Sequence, residues 1–311
     1  IAGSCMGGDA QRFFQWLFGK LNTAQSDEMK ILLLTALLQA LEHDDANQNL
    51  STFIPIVMTN CQSVLENADV PELLVAVVDV ILYVTNTYPH VFGAHFKDTV
   101  DILVGWHIDA TQKDSLTEYT SRALITFHQF WVSDMNFSMT LLGQFLEDME
   151  AYAEDLSLGL QGQHAYDEEV PTPQECVVKI AALLKVFTTV LLSLGDHFTP
   201  GGSINITLDY MLKILERIVN CVESASQEHY SESVLVVANK CVQLIVTNLG
   251  KDITSSLDVA LPYLSNQLEN ASASPSYPYM ISLLTVLTRV IDQVSTQLPT
   301  SFIASVLGEK S

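Results

Sequence analysis

The sequence predicts an all-α chain, a HEAT/armadillo-like α-solenoid of antiparallel helix hairpins. Three observations predict it. Apolar residues recur at i, i+3, i+4 and i+7 in one segment after another, the period of a helix that buries one face. Turn and stop signals divide these segments into hairpins near 27–66, 70–105, 114–156, 173–224, 228–270 and 275–308, close to the roughly 40–47 residues of a HEAT or armadillo repeat. Third, 48% of the 311 residues are hydrophobic and the mean hydropathy is +0.25, although charges interrupt the apolar runs. A lone hairpin cannot cover such a surface, whereas stacking on neighbours can.

The elements follow in order. Met29, Leu32, Leu33, Ala36, Leu37 and Ala40 form the first clear stripe, ended by His43-Asp44-Asp45. Val70-Pro71 opens the next helix, on which Leu73, Leu74, Val77, Val78, Ile81 and Leu82 share a face, and Tyr88-Pro89 breaks it. Trp106-His107-Ile108-Asp109 reads as a helix end and its turn, with His107 packed or capping rather than catalytic. Phe145, Met149, Tyr152 and Leu156 make a core stripe near the middle of the chain. Val177, Ile180, Ala181, Leu184, Phe187, Thr188, Leu191 and Leu194 make another, stopped by Thr199-Pro200-Gly201-Gly202. Leu208 to Val222, Val234 to Ile245 and Met280 to Val294 repeat the spacing, the last with Met280, Leu283, Leu284, Leu287, Val290, Ile291 and Val294 on one face. Pro275, Pro278 and Pro299 punctuate this end.

Residues 157–175 lack apolar periodicity and carry Gly, Pro and acids, so they read as a mobile acidic loop. The expected organisation is one continuous array: 1–156, the loop 157–175, and 176–311. The first residue is Ile1 rather than Met, which points to a piece of a longer protein.

Composition narrows the function. The net charge is −22, from 14 Lys+Arg and 36 Asp+Glu. Such a surface repels phosphates and anionic lipid, and attracts basic protein segments. Direct nucleic-acid binding is therefore not expected. Nor is a membrane partner, because Lys179 and Lys185 interrupt the longest apolar run, 177–194. The five cysteines, Cys5, Cys61, Cys176, Cys221 and Cys241, are odd in number and form no CxxC, a pattern of free thiols in a reducing, cytoplasmic compartment, with the nucleus also open. No zinc pair occurs among the eight His, and no nucleophile-elbow, dinucleotide, Walker or kinase signature is present. No catalytic residue, metal site or cofactor is expected in this chain.

One surface constellation stands out. Between Arg122 and Lys179 there are ten Asp or Glu and no Lys or Arg. At roughly 100° per residue, Glu147, Glu150 and Glu154, flanked by Asp148 and Asp155, lie opposite the stripe of Phe145, Met149 and Tyr152. The plain reading is a solvated face. The active reading is a contact for a basic partner. A metal is the least favoured, because the Glu-x-x-His pairs of a di-metal bundle are missing.

Two stretches carry a resemblance. They are DTVDILVGWHID at 98–109, and Phe130-Trp131-Val132-Ser133-Asp134 followed by TLLGQFLEDMEAYAEDL at 140–156. Both resemble the N-terminal HEAT-like helical region of the SMG kinase family, phosphatidylinositol-3-kinase-related protein kinases of nonsense-mediated mRNA decay. Ala181 to Phe187, Asp258 to Glu269 and Gln297 to Phe302 are also similar, so the match extends with gaps over about 90–307. The resemblance implies a scaffold segment of a large serine/threonine kinase. The ATP and divalent-metal sites of such a kinase lie far downstream. Its expected partners are the two smaller regulatory subunits of the complex, SMG-eight and SMG-nine, and its substrate is the RNA helicase UPF-one. The alternative is an acidic HEAT-repeat transport receptor of the karyopherin type binding basic cargo, with which the two core stretches are not associated.

Overall fold

The computed structural model describes residues 8–42, 50–68, 70–109, 114–160, 171–197, 216, 228–249, 253–254, 257–273 and 277–294. Among them every regular element is helical, as the periodicity requires. The chain divides into two compact units, Ile1–Phe130 and Trp131–Ser311. The division thus falls upstream of the acidic segment.

The first unit holds α1 (Gly8–Thr23), α2 (Asp27–Glu42), α3 (Ile54–Glu66), α4 (Pro71–Thr87), the short α5 (Pro89–Phe92), α6 (Phe96–Asp109) and α7 (Asp114–Thr126). Prolines set the starts of α3, α4 and α5, where a missing N–H costs nothing and φ is already helical. Helix α4 is the hub, packing on α2, α3 and α7. Leu73, Leu74, Val77, Val78, Val80, Ile81 and Val84 are all fully buried. Burying each contributes about 1.5–3 kcal/mol against leaving it in water. Phe92 sits among Phe127 and Phe130 at ring-centroid distances of 4.7 and 4.8 Å, which ties α5 to the end of α7.

Polar pins fix the register of these apolar contacts. The Tyr83 hydroxyl donates to the Leu41 carbonyl at 2.8 Å, joining α4 to α2. Gln62 on α3 donates from Nε2 to the His95 carbonyl at 3.2 Å, while its Oε1 lies 2.7 Å from His95 Nδ1. An amide oxygen only accepts, so Nδ1 carries the proton. The Tyr119 hydroxyl on α7 donates to the Asp79 carboxylate on α4.

Helix α8 (His128–Ser133) spans the division. The second unit holds α9 (Met135–Leu160), α10 (Pro173–Leu194), α11 (Glu228–Leu249), α12 (Leu257–Ala273) and α13 (Tyr277–Val294). Helix α10 packs between α9 and α11, α11 between α10 and α13, and α12 against α13. This side-by-side stacking is that of an α-solenoid. By length and apolarity α10 could cross a membrane, but its surface is mostly buried against its neighbours. It begins with a capping box: the Thr172 hydroxyl accepts from Glu175 N–H, and the Glu175 carboxylate accepts from Thr172 N–H at 2.8 Å. It ends at Gly195, whose φ of +47° a side chain would resist.

Several expectations are corrected here. Residues 157–160 are helical and continue α9, and Pro173 stands in the first turn of α10. The span 157–175 is therefore not all loop. Residues 161–170, with Asp167, Glu168 and Glu169, lie outside the described residues, as do almost all of 198–227 and the stretch 295–308. On α2 the buried face is Leu33, Leu34, Leu37 and Leu41, while Met29 and Leu32 are 50% and 65% exposed. On α13 Leu284 and Ile291 are exposed, whereas Leu283, Leu287, Val290 and Val294 are buried. Both helices carry apolar residues around more than one face, so spacing alone does not choose the buried side.

Candidate functional site

The acidic helix is α9. Its Phe145, Met149 and Leu156 are buried, and this seats the helix in the second unit. Tyr152, expected in the same core stripe, is only half-buried. Its ring lies beneath Lys179 of α10, with Nζ 5.3 Å from the ring centroid, a cation–π contact of about 0.5–1 kcal/mol when solvent reaches it.

The carboxylates separate into two groups. Glu147 and Glu154 are exposed and Glu150 is half-buried on the same face. Asp148 and Asp155 are half-buried and stand roughly 80–100° round the helix from Glu147. Asp148 Oδ1 accepts from Gln144 Nε2 at 2.9 Å, one turn earlier. Asp155 faces the α9–α10 seam. Burial first, then the negative charges of Asp155 and Glu175, push the Cys176 thiol up to about 11, against the weaker opposing pull of Lys179. Gly159 completes this seam, since a Cβ there would come within 3.1 Å of the Pro173 ring. The open acidic face is thus the row Glu147, Glu150 and Glu154, while Asp155 serves the interior edge.

Among the described residues, no three His, Cys, Asp or Glu side chains come together as a metal site. His107 is fully buried, with Nδ1 2.8 Å from the Thr120 hydroxyl. It pins α6 to α7 and is not presented to a substrate. Cys61, Cys176 and Cys241 are buried free thiols, while Cys5 and Cys221 lie outside the described residues. Burial pushes Cys61 and Cys241 up to about 12, so both stay neutral and inert at physiological pH.

A buried polar layer in the second unit escaped the sequence reading. Asn239 Nδ2 donates to Ser282 Oγ at 3.0 Å, Ser282 donates to the Tyr279 carbonyl at 2.7 Å, and the Tyr279 hydroxyl donates to Gln267 Oε1 at 2.6 Å. These residues link α11, α12 and α13. The available signal was a polar residue interrupting each apolar stripe.

Stacked helical hairpins bearing an outward carboxylate row define an α-solenoid segment. No family model matches the chain. Over 304 residues, 97% of its length, it is 46% identical to the serine/threonine-protein kinase SMG1 of Danio rerio, and it covers 8% of that protein. The Smg1 kinase of Drosophila melanogaster is 23% identical over 233 residues, 73% of this chain and 6% of that one. The resemblance carried by 98–109 and 140–156 therefore extends across nearly the whole sequence, and the chain is similar to a small segment of a much longer kinase. A solved structure of a Kap121p mutant aligns over 89% of this chain and 33% of its own, at 15% identity and a TM-score of 0.35, too low to carry any inference.

Proposed function

We propose that this chain is a non-catalytic scaffold segment of a large serine/threonine kinase of nonsense-mediated mRNA decay, and that it presents surface to protein partners. The observation that carries this reading is the 46% identity over 97% of the chain, confined to 8% of the kinase. Catalysis, with its ATP and divalent metal, belongs to another part of that polypeptide. This segment supplies a stacked helical frame and an outward acidic row at Glu147, Glu150 and Glu154. The partners proposed are the two smaller regulatory subunits of the complex, met through their basic surfaces, in the cytoplasm or the nucleus. Nucleic acid is not a direct partner, because a net charge of −22 opposes it.

The test is co-purification. Full-length kinase carrying Glu147→Lys, Glu150→Lys and Glu154→Lys is compared with the unaltered protein for retention of each regulatory subunit and for phosphorylation of a Ser/Thr-Gln peptide. The expected result is weakened retention of one subunit with peptide phosphorylation intact. Unchanged retention of both would remove the acidic row from the interface. Phosphotransfer by this segment alone, abolished by a substitution within it, would overturn the non-catalytic reading.

A further inference from the structure

Helix α12 breaks a rule that the other described helices keep. Pro55, Pro71, Pro89, Pro173 and Pro278 each stand first or second in their helix, where the missing N–H costs nothing. Pro262 stands inside α12. There it withholds the N–H that the Asp258 carbonyl would accept, and its ring crowds that same carbonyl. No other residue type disfavours a helix interior as much.

The seam that holds α12 is weak in kind as well. Gln267 is fully buried. Its Oε1 accepts from the Tyr279 hydroxyl of α13 at 2.6 Å, while Nε2 reaches no acceptor among the described residues. Exchanging the two ends of the amide would leave Oε1 unmatched instead, so one half is unsatisfied either way. A half-satisfied buried amide holds less firmly than apolar contact of the same size. The Tyr263 hydroxyl lies 3.5 Å from Asn239 Oδ1 on α11, longer than a good O–H···O bond. The neighbouring seams differ. Helix α10 is unbroken and buries Ile180, Leu183, Leu184, Phe187 and Leu191, and α11 packs directly on both α10 and α13.

We infer that the second unit yields at α12: this helix undocks from α13 as one piece, while α10, α11 and α13 stay packed. In a stacked array, stability is a sum of helix terms and nearest-neighbour seam terms, so opening begins where both are weakest. A scaffold with such a joint adjusts its surface without unfolding its stack. The inference stands on α12 itself and not on the partners proposed for the acidic row.

Hydrogen–deuterium exchange of the full-length protein, read by peptide mass spectrometry, tests it. After correction for intrinsic rates, peptides from 257–273 are expected to exchange about tenfold faster or more than those from 228–249 and 277–294. Pro262→Ala restores the donor and removes the crowding. Gln267→Met removes the amide and leaves Tyr279 the backbone carbonyl of residue 267, 3.1 Å away. Each substitution should slow exchange across α12 by about fivefold or more and leave α11 and α13 unchanged. Slowing by one substitution alone keeps the joint and assigns it to that residue. Equal exchange across the three helices, α12 slower than either neighbour, α12 indifferent to both substitutions, or a slowing shared by α11 and α13 would overturn it.

Discussion

The hydroxyl of Thr188 lies 2.8 Å from the thiol of Cys241, across the seam between α10 and α11. The same hydroxyl lies 2.6 Å from the Leu184 carbonyl one turn earlier. A hydroxyl has one proton, and a carbonyl can only accept it. Thr188 therefore donates to Leu184 and accepts from the Cys241 S–H, so the contact requires a protonated thiol. Burial and this requirement agree: Cys241 is held neutral inside the stack.

A pH dependence follows. Cys61 and Cys241 ordinarily ionise near 9.0, and burial raises both to about 12. Below pH 9 each is neutral whether folded or unfolded and contributes no slope. Between about 9 and 12 the unfolded thiols lose protons that the folded ones keep, so stability falls as pH rises, by about 1.4 kcal/mol per pH unit per thiol at most. Urea midpoints measured from pH 8 to 10.5 should decline, and Cys61→Ala with Cys241→Ala should flatten the decline while lowering stability at neutral pH. An unchanged slope in the double variant would show that neither thiol is responsible.

At the start of α10 the sign is the reverse. Hydrogen bonds from the Thr172 backbone and hydroxyl, with help from Lys179, hold the Glu175 carboxyl below its usual range. Its stabilising contribution is present above the unfolded value and is lost as pH falls through the lowered folded one. Thr172→Ala should cost about 1 kcal/mol at pH 7, and the cost should shrink once Glu175 is protonated. Equal costs at pH 7 and pH 3 would mean that the cap does not depend on the carboxylate.

In the first unit a phenol adds a polar link to the packing of α4 on α7. The Tyr119 hydroxyl donates to the Asp79 carboxylate, with the Val75 carbonyl at 3.2 Å. Burial first, then the Asp79 hydrogen bond and charge, push the phenol well above its ordinary range, against Arg122. Tyr119→Phe removes the donor and keeps the ring. The expected loss is about 1.5–3 kcal/mol, the range for a hydrogen bond to a charged group. A melting temperature unchanged within error would show that water replaces the hydroxyl at no cost.

Much of this architecture was legible in the sequence because helices announce themselves locally. The stripe Leu73, Leu74, Val77, Val78 and Ile81 identified α4 and its buried face, although Leu82, expected on it, is only half-buried, and Val70-Pro71 placed the start. The acidic row of α9 was legible for the same reason: Glu147 and Glu154 stand opposite Phe145 and Met149 by helical geometry alone. What stayed hidden depends on neighbours. Leu284 and Leu283 are one residue apart on an apolar helix, and only the position of α11 and α12 decides that the second is buried and the first bare. Met29 and Leu32 on α2 misled in the same way. The pins Gln62–His95, Tyr119–Asp79 and Tyr279–Gln267 join residues 33, 40 and 12 apart, and no periodicity marks which polar residue will find which. The capping box was spelled out by Thr172-Pro173-Gln174-Glu175, yet the surrounding Pro and acids made the segment read as loop.

The carboxylate row on α9 gives the sharpest functional prediction. Glu147, Glu150 and Glu154 are spaced by three and four residues, so each repels the next at a cost of a few tenths of a kcal/mol per pair. The sequence from Arg122 to Lys179 contains no other Lys or Arg, and Lys179 sits over Tyr152 on the α10 side. The repulsion is small beside the burial of Phe145, Met149 and Leu156, so it leaves the fold intact and persists as an outward field. Reversing all three to Lys should keep the far-UV helical signal and should relieve none of the core contacts. Against a basic partner the association rate should fall about tenfold or more near 50 mM salt, with a smaller change in dissociation. The difference should shrink toward 0.5 M salt as screening shortens the reach of the field to a few ångströms. Loss of helical signal would make the row structural, through the half-buried Glu150. Intact folding with association rates unchanged at every salt concentration would reduce the row to a solvated face.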